Sequence, residues 1–292
     1  MTEAAKGHFA MALFAALIAG SFALGGMAAN LIDPGALTAA RFVIAAALMA
    51  GIALAGPGIS RAHLTTSTWR YLVMGGLLSA YFVLMFEALK VAEPVSTGAV
   101  FTLTPLLASG FGWLFLRQIT TKFNIAAMLI GACGAVWVIF RGDVDAILGF
   151  RVGLGERIFF LGVVAHAAYA PLVRLFNRGE PVLTFTTGTL LAGATITTLW
   201  AARDLAATEW TTLPLIVWIT LAYLAVATTA GTFFLLQFSA LRLPAGKVMA
   251  YGYLTPTFVI LWQAALGQGW VAPTVWVGAA LTCVSLGLLA WR

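Results

Sequence analysis

Apolar residues in this chain come in long unbroken runs, and runs of about 20 residues belong in the hydrocarbon of a bilayer. Ten are read along the 292 residues: Phe9–Asn30, Gly35–Ala55, Trp69–Leu89, Val95–Leu116, Phe123–Phe140, Gly153–Phe176, Val182–Ala202, Leu213–Leu241, Gly246–Leu266 and Pro273–Trp291. As a helix, each covers close to the ~30 Å of a bilayer core. Helices satisfy their own backbone polar groups in lipid, whereas a barrel needs an alternating pattern that these runs lack. Only 9% of residues are charged, against about 25% in a soluble domain. The expectation is an all-α integral membrane protein whose surroundings are the lipid bilayer. The net charge of +6 is no nucleic-acid signal, because Lys and Arg lie between apolar runs, where they orient a membrane protein. Cys133 and Cys283 sit inside runs and read as small packing residues, without a disulfide. The three histidines, His8, His63 and His166, are too few and too scattered for a His-rich metal centre, and no cofactor is expected. The first run resembles a signal peptide in length only. Its Gly20-Ser21-Phe22 is answered by Ala167-Ala168-Tyr169 in the sixth run, so it is read as a retained helix.

A repeat organises the runs. Phe86–Pro105, FEALKVAEPVSTGAVFTLTP, recurs as Phe238–Pro256, FSALRLPAGKVMAYGYLTP. In both copies aromatic-x-Ala-Leu-(Lys/Arg) ends one run, a Pro-containing loop follows, and Leu-Thr-Pro stands within the next run. The chain therefore divides into a five-helix half at 1–141, a connecting loop at 142–152 and a second half at 153–292. Five is odd, so the second half enters the membrane from the opposite side, and the ten transmembrane helices form two inverted five-helix repeats. Inverted repeats place a binding site near the bilayer midplane, where the halves meet, and favour a transporter. With the N-terminus inside, ten cations fall on the inner side: Lys6, Arg61, Arg70, Arg117, Lys122, Arg174, Arg178, Arg242, Lys247 and Arg292. Six fall outside: Arg41, Lys90, Arg141, Arg151, Arg157 and Arg203. The bias places both termini in the cytoplasm.

Candidate functional residues are those that lipid tolerates poorly. Pro105 and Pro256 fall inside runs, where proline frees a carbonyl and kinks a helix. Their matched positions favour a hinge over substrate contact, although proline is also common in membrane helices for packing alone. Tyr81, Phe82, Phe86, Phe101, Tyr169, Tyr251, Tyr253, Phe258 and Trp262 supply aromatic surface. Each alone is more readily a packing residue; as a set they suit a pocket for a planar side chain. Trp69, Trp270 and Trp291 read as an interfacial belt. Glu87 is the one acid read within a run, Asp143, Asp145 and Glu156 being counted with the stretch Arg141–Arg157 that joins the halves. It is equally an i,i+3 ion pair with Lys90 at the outer surface and a proton or substrate-amine site. Arg41 lies two turns into the second run, is opposed by Gly188 in the repeat, and is expected to snorkel outward. His166 is central in its run and is able to hold a polar group or titrate. The small-residue faces Ala127-Gly131-Ala135 and Thr274-Gly278-Thr282 permit close helix contact, at the bundle rim or in a dimer seam. No nucleotide-binding loop, H-E-x-x-H or nucleophile elbow is present. An intramembrane enzyme would have only Glu87 and His166 to work with.

Ten helices in two halves, with Phe-x-Ala-Leu-(Lys/Arg) and Leu-Thr-Pro at corresponding places, resemble the EamA-type transporters of the drug/metabolite transporter superfamily. Gly20-Ser21-Phe22, Ala40-Arg41-Phe42, Phe86–Val91 and Thr102–Leu106 look like that family's recurring blocks. Ala19 departs from it, since many relatives carry tryptophan before Gly-Ser. Within the family the chain is most similar to bacterial aromatic amino acid exporters. The resemblance implies efflux of aromatic and other neutral amino acids, or similar small metabolites, across the bacterial inner membrane; a monomer is expected. A different metabolite or a toxic organic cation is the alternative substrate; a channel-like or structural role is the alternative class. On the exporter reading Tyr81, Phe86, Phe101, Tyr169, Tyr251 and Trp262 wall a central cavity. His166, Gln237, Thr104 and Thr255 make polar contacts, Pro105 and Pro256 act as hinges, and Glu87 is the candidate for coupling.

Overall fold

The structure, a computed structural model, describes residues 2–55, 67–149 and 152–291. The predicted charges Arg61, Arg151 and Arg292, and His63, lie outside these residues, as does the side chain of Trp291. Helices begin where a side chain can accept from the free N–H groups of the first turn. Thr2 caps α1 (Glu3–Ala28) by accepting from Ala5 N, and Asp33 Oδ1 accepts from Gly35 N and Ala36 N at the start of α2 (Pro34–Ala55). There follow α3 (Trp69–Leu89), α4 (Pro94–Phe101), α5 (Thr104–Leu116) and α6 (Lys122–Ile139), the last capped by Thr121. A short helix, α7 (Val144–Leu148), occupies the predicted connecting loop. Beyond it come α8 (Leu154–Phe176), α9 (Val182–Trp200), a short α10 (Ala202–Ala207) and α11 (Leu215–Tyr223). A π-helical stretch, Leu224–Gly231, joins α11 to α12 (Thr232–Ala240). The described chain ends with α13 (Ala245–Ala250), a 3-10 turn at Tyr251–Leu254, α14 (Thr255–Ala265) and α15 (Pro273–Trp291).

Eight helical stretches among the described residues are long and apolar enough to cross a membrane. They are α1, α2, α3, α4 with α5, α6, α8, α9, and α11 through α12. The stretch 245–265 is broken, and α15 is a shorter apolar helix. Leu54, Trp113, Leu161, Leu199, Leu215 and Val277 stand exposed on helix surfaces, a pattern that a bilayer covers. Trp69 and Trp270 are exposed near helix ends.

The helices pair across the chain. α6 packs on α15, α3 on α8, and α9 on α2 and α3. α1 packs on α12 and α14, while α8 packs on α3 and α5. Glycine makes the closest approaches: a Cβ on Gly134 would lie 2.7 Å from the Gly278 carbonyl, and one on Gly278 would lie 2.6 Å from the Gly134 carbonyl. Ser285 donates to the Ala127 carbonyl across the same seam, and Tyr253 donates to Met128. Both predicted small-residue faces thus meet inside one chain. Cys133, expected as a packing residue, is exposed, because it lies on the face of α6 turned away from that seam.

The ends of the bundle are distinguishable. The start of α1 meets the end of α12, where Gly7 lies against Leu243 and accepts from Ser239. Its other end meets Phe86, Leu89 and Pro94. The start of α8 lies at that second end, where Gly155 packs against Ala88 and Ala92 and Glu156 accepts from Ser96 at 2.6 Å.

Candidate functional site

The middle of the bundle is filled by rings. Helical spacing puts Tyr81, Phe82, Met85 and Phe86 on one buried face of α3. α4 brings Phe101, α8 brings Phe159 and His166, and α1 brings Phe14 and Phe22. The Tyr81 and His166 rings are 4.5 Å apart between centroids, and Phe101 lies 5.0 Å from His166 and 5.9 Å from Tyr81. Two predicted wall residues, Tyr81 and Phe101, and the predicted polar residue His166 are therefore packed on one another, not spread around open space. A cleft of about 320 Å³ lies to one side, lined by Val100, Leu103, Val136, Ile139, Phe140 and Phe160 among others, and includes none of the predicted wall residues.

Polar groups divide into satisfied and unsatisfied sets. Gln237 donates from Nε2 to the Tyr169 hydroxyl at 2.6 Å and accepts from Thr186 at 2.6 Å, which ties α12 to α8 and α9. Thr104 donates to the Phe101 carbonyl. Trp262 donates to the Ala16 carbonyl at 3.2 Å, and Tyr251 pairs with His8 at 3.0 Å. Phe86 is buried behind Gly25. Glu87 pairs with Lys90 at 3.1 Å, both partly exposed near the end of α3. By contrast Tyr81 Oη, His166 Nδ1, Thr255 Oγ1, Thr38 Oγ1 and Arg41 Nη1 are buried with no hydrogen-bond partner among the described residues.

Arg41 corrects an expectation. It does not snorkel to the outer surface; its relative exposure is 0%. The guanidinium lies flat over Phe82, 3.7 Å from the ring centroid. Nε donates to Thr229 at 2.8 Å and Nη2 to Thr228 at 3.2 Å. Those threonines belong to the π-helical stretch, and both hydroxyls donate to the Leu224 carbonyl, leaving their lone pairs to accept from Arg41. A π turn widens the backbone and often marks a functional position. Arg41 is thus a core residue, where the sequence places it at the surface and outside the candidate site. Its signal was present: an ionisable group within an apolar run with no counterpart in the repeat.

Pro105 and Pro256 also differ from expectation in form. Neither kinks a continuous α-helix. Each stands second in a new helix, after the break between α4 and α5 and after the 3-10 turn before α14. There the missing N–H has no intrahelical acceptor to lose. The two breaks lie against each other: a Cβ on Gly252 would be 3.2 Å from the Phe101 ring, and one on Gly98 would be 3.5 Å from Thr255 Cγ2.

No group of three or more His, Cys, Asp or Glu residues among those described is placed to hold a metal ion. The model of a family described as the EamA-like transporter family matches residues 5–140 and again 153–291. A protein of Bacillus subtilis (strain 168) named "Uncharacterized transporter YyaM" is 26% identical over 239 residues, 80% of this chain and 77% of its own length. A solved crystal structure with 21% sequence identity shares the fold at a TM-score of 0.74, covering 95% of this chain and 94% of that one.

Proposed function

Because this chain belongs to the EamA-like transporter family, a family of multi-pass membrane transporters, we propose that it exports aromatic and other neutral amino acids by alternating access. It does so as a ten-helix bundle of two inverted repeats. The observation that carries this reading is the meeting of the two Leu-Thr-Pro breaks at the centre of the bundle. Paired discontinuous helices free backbone groups and supply bending points at mid-depth, where inverted-repeat carriers bind. The pairings of α1 with α12 and α14, and of α8 with α3 and α5, follow the correspondence of the halves. The buried rings of Tyr81, Phe101 and His166 are the surface onto which an aromatic side chain slides when they part. Tyr169, Gln237, Thr104 and Thr255 complete the proposed site, with Phe86 on Gly25, Tyr251 on His8 and Trp262 on Ala16 along α1. An organic cation is the weaker substrate reading, because Arg41 puts a fixed positive charge in the same core. Export runs across a bacterial inner membrane with both termini in the cytoplasm, and Glu87 is the candidate for coupling.

Uptake of radiolabelled tryptophan into proteoliposomes tests the reading. Saturable uptake competed by phenylalanine and tyrosine is the expected outcome; uptake indifferent to every amino acid removes it. Imposing a pH gradient on the same vesicles separates proton antiport, which it accelerates, from facilitated diffusion, which it leaves unchanged.

A further inference from the structure

A guanidinium carries five N–H donors in a planar fork, and the two hydrogen bonds from Arg41 go to the neutral hydroxyls of Thr228 and Thr229. Nη1 points at no acceptor among the described residues, and Arg41 has no acidic partner in any ion pair there. Phe82 covers one face of the charge at 3.7 Å, which offsets part of the cost of burying it. Two further orphaned hydroxyls stand close in the fold. Thr38 is one turn earlier on the same face of α2. Tyr81 lies against the same Phe82 ring, at 4.7 Å between centroids, that Arg41 covers. A buried cation with a free Nη1, two orphaned hydroxyls close in the fold and no carboxylate partner among the described residues suits an anionic ligand.

We infer that Arg41, with the hydroxyl of Tyr81, binds an anionic group of the transported molecule, a carboxylate in particular. This inference rests on the transport reading and adds to it the charge that the substrate must carry. The site lies seven residues into α2, about 10 Å from that end of the helix at 1.5 Å per residue. It sits beside the aromatic cluster through Phe82 and Tyr81. A molecule with a planar apolar body and a carboxylate two or three bonds away would span the two. The flat fork favours two parallel N–H···O bonds, which lysine cannot reproduce. If Arg41 only fastened α2 to the π-helical stretch, binding would not depend on the charge of the probe.

The test is equilibrium titration of the purified full-length protein in nanodiscs with L-phenylalanine, 3-phenylpropionate and L-phenylalaninamide. The two acids should bind at least about tenfold more tightly than the amide, the scale of one hydrogen bond to a charged group. Parallel binding by 3-phenylpropionate assigns the preference to the carboxylate and not to the amino acid as a whole. Arg41→Gln should abolish the acid preference, and Arg41→Lys should keep part of it. Should Arg41→Gln fail to fold, the wild-type comparison and Arg41→Lys still decide. Equal affinity for acid and amide, binding of none of the three, or an acid preference that survives Arg41→Gln overturns the inference. Preferential binding of the acids with no flux in proteoliposomes sinks the transport reading and leaves the site. Flux of acid and amide at equal rates sinks the site and leaves transport.

Discussion

Arg70 and Glu180 pair at 2.7 Å with side chains each 2% exposed. The pair joins the start of α3 to the loop between α8 and α9, and Arg70 also donates to the Phe176 carbonyl at the end of α8. Removing one partner of a buried pair leaves an uncompensated charge and costs about 3–5 kcal/mol. Burial pushes the Glu180 carboxyl upward; the bond from Arg70, with backbone N–H bonds including that of Arg178, outweighs it and holds the group below its ordinary 4.5. A depressed carboxyl stabilises the fold fully above its unfolded value, and the contribution disappears as pH falls through the native one. The apparent melting temperature should therefore hold steady down to about pH 4.5 and drop below it. Glu180→Gln should lower melting at neutral pH and flatten this acid limb; an unchanged limb in the variant assigns the drop to other groups. The sequence marked Arg70 as a charge on one membrane face but not its partner, 110 residues away. Arg41 failed for a related reason: snorkelling was judged from the distance to a helix end, whereas burial was decided by Phe82 and a threonine pair from the far half.

At the level of elements, α6 and α15 are held together by the absence of side chains. Gly134 and Gly278 each face the other's carbonyl at a distance no Cβ tolerates. Gly278→Leu has no flexible neighbour to displace, so it should exceed the usual overpacking cost of about 1–3 kcal/mol. Gly51→Leu, where nothing lies within 4 Å, is the control. Monodispersity after extraction and the apparent melting temperature measure both, and equal behaviour would deny the seam its role. Gly278 stands on a predicted small-residue face, whereas its partner Gly134 lies beside the predicted Ala127-Gly131-Ala135 face; the run Trp69–Leu89 is α3 to the residue, but the runs 95–116, 213–241 and 246–266 are each broken. The breaks were legible only in position. Leu-Thr-Pro announced a disturbance at Pro105 and Pro256, but its form depends on how Phe101 and Gly252 pack against each other. The π-helical stretch was not legible at all. Leu-Ala-Val-Ala-Thr-Thr-Ala-Gly suits an ordinary helix, and the wide turn is recognised through Thr228 and Thr229 reaching Leu224 and Arg41.

At the scale of the whole molecule, α1 and α8, which hold corresponding places in the proposed two-half scheme, are fastened at opposite ends of the bundle. Ser239 on α12 donates to Gly7 of α1 at one end, and Ser96 on α4 donates to Glu156 of α8 at the other. Both serines are buried. Glu3 with Arg242 adds to the first closure, and Glu93 with Arg141 stands beside the second. If the halves rock around the fixed central cluster, as inverted-repeat carriers do, the two ends cannot open together. Replacing Ser239 and Ser96 by cysteine changes one atom at each end. The exposed Cys133 and the half-buried Cys283 must first be made serine so that no other thiol reacts. In sealed vesicles carrying the double variant, a bulky impermeant maleimide applied to one face should label that face's cysteine and wedge it open. The cysteine at the opposite end should then react several times more slowly than in vesicles never labelled. A pore with independent mouths would show no such penalty, so equal rates with and without prior labelling would remove alternating access from the account.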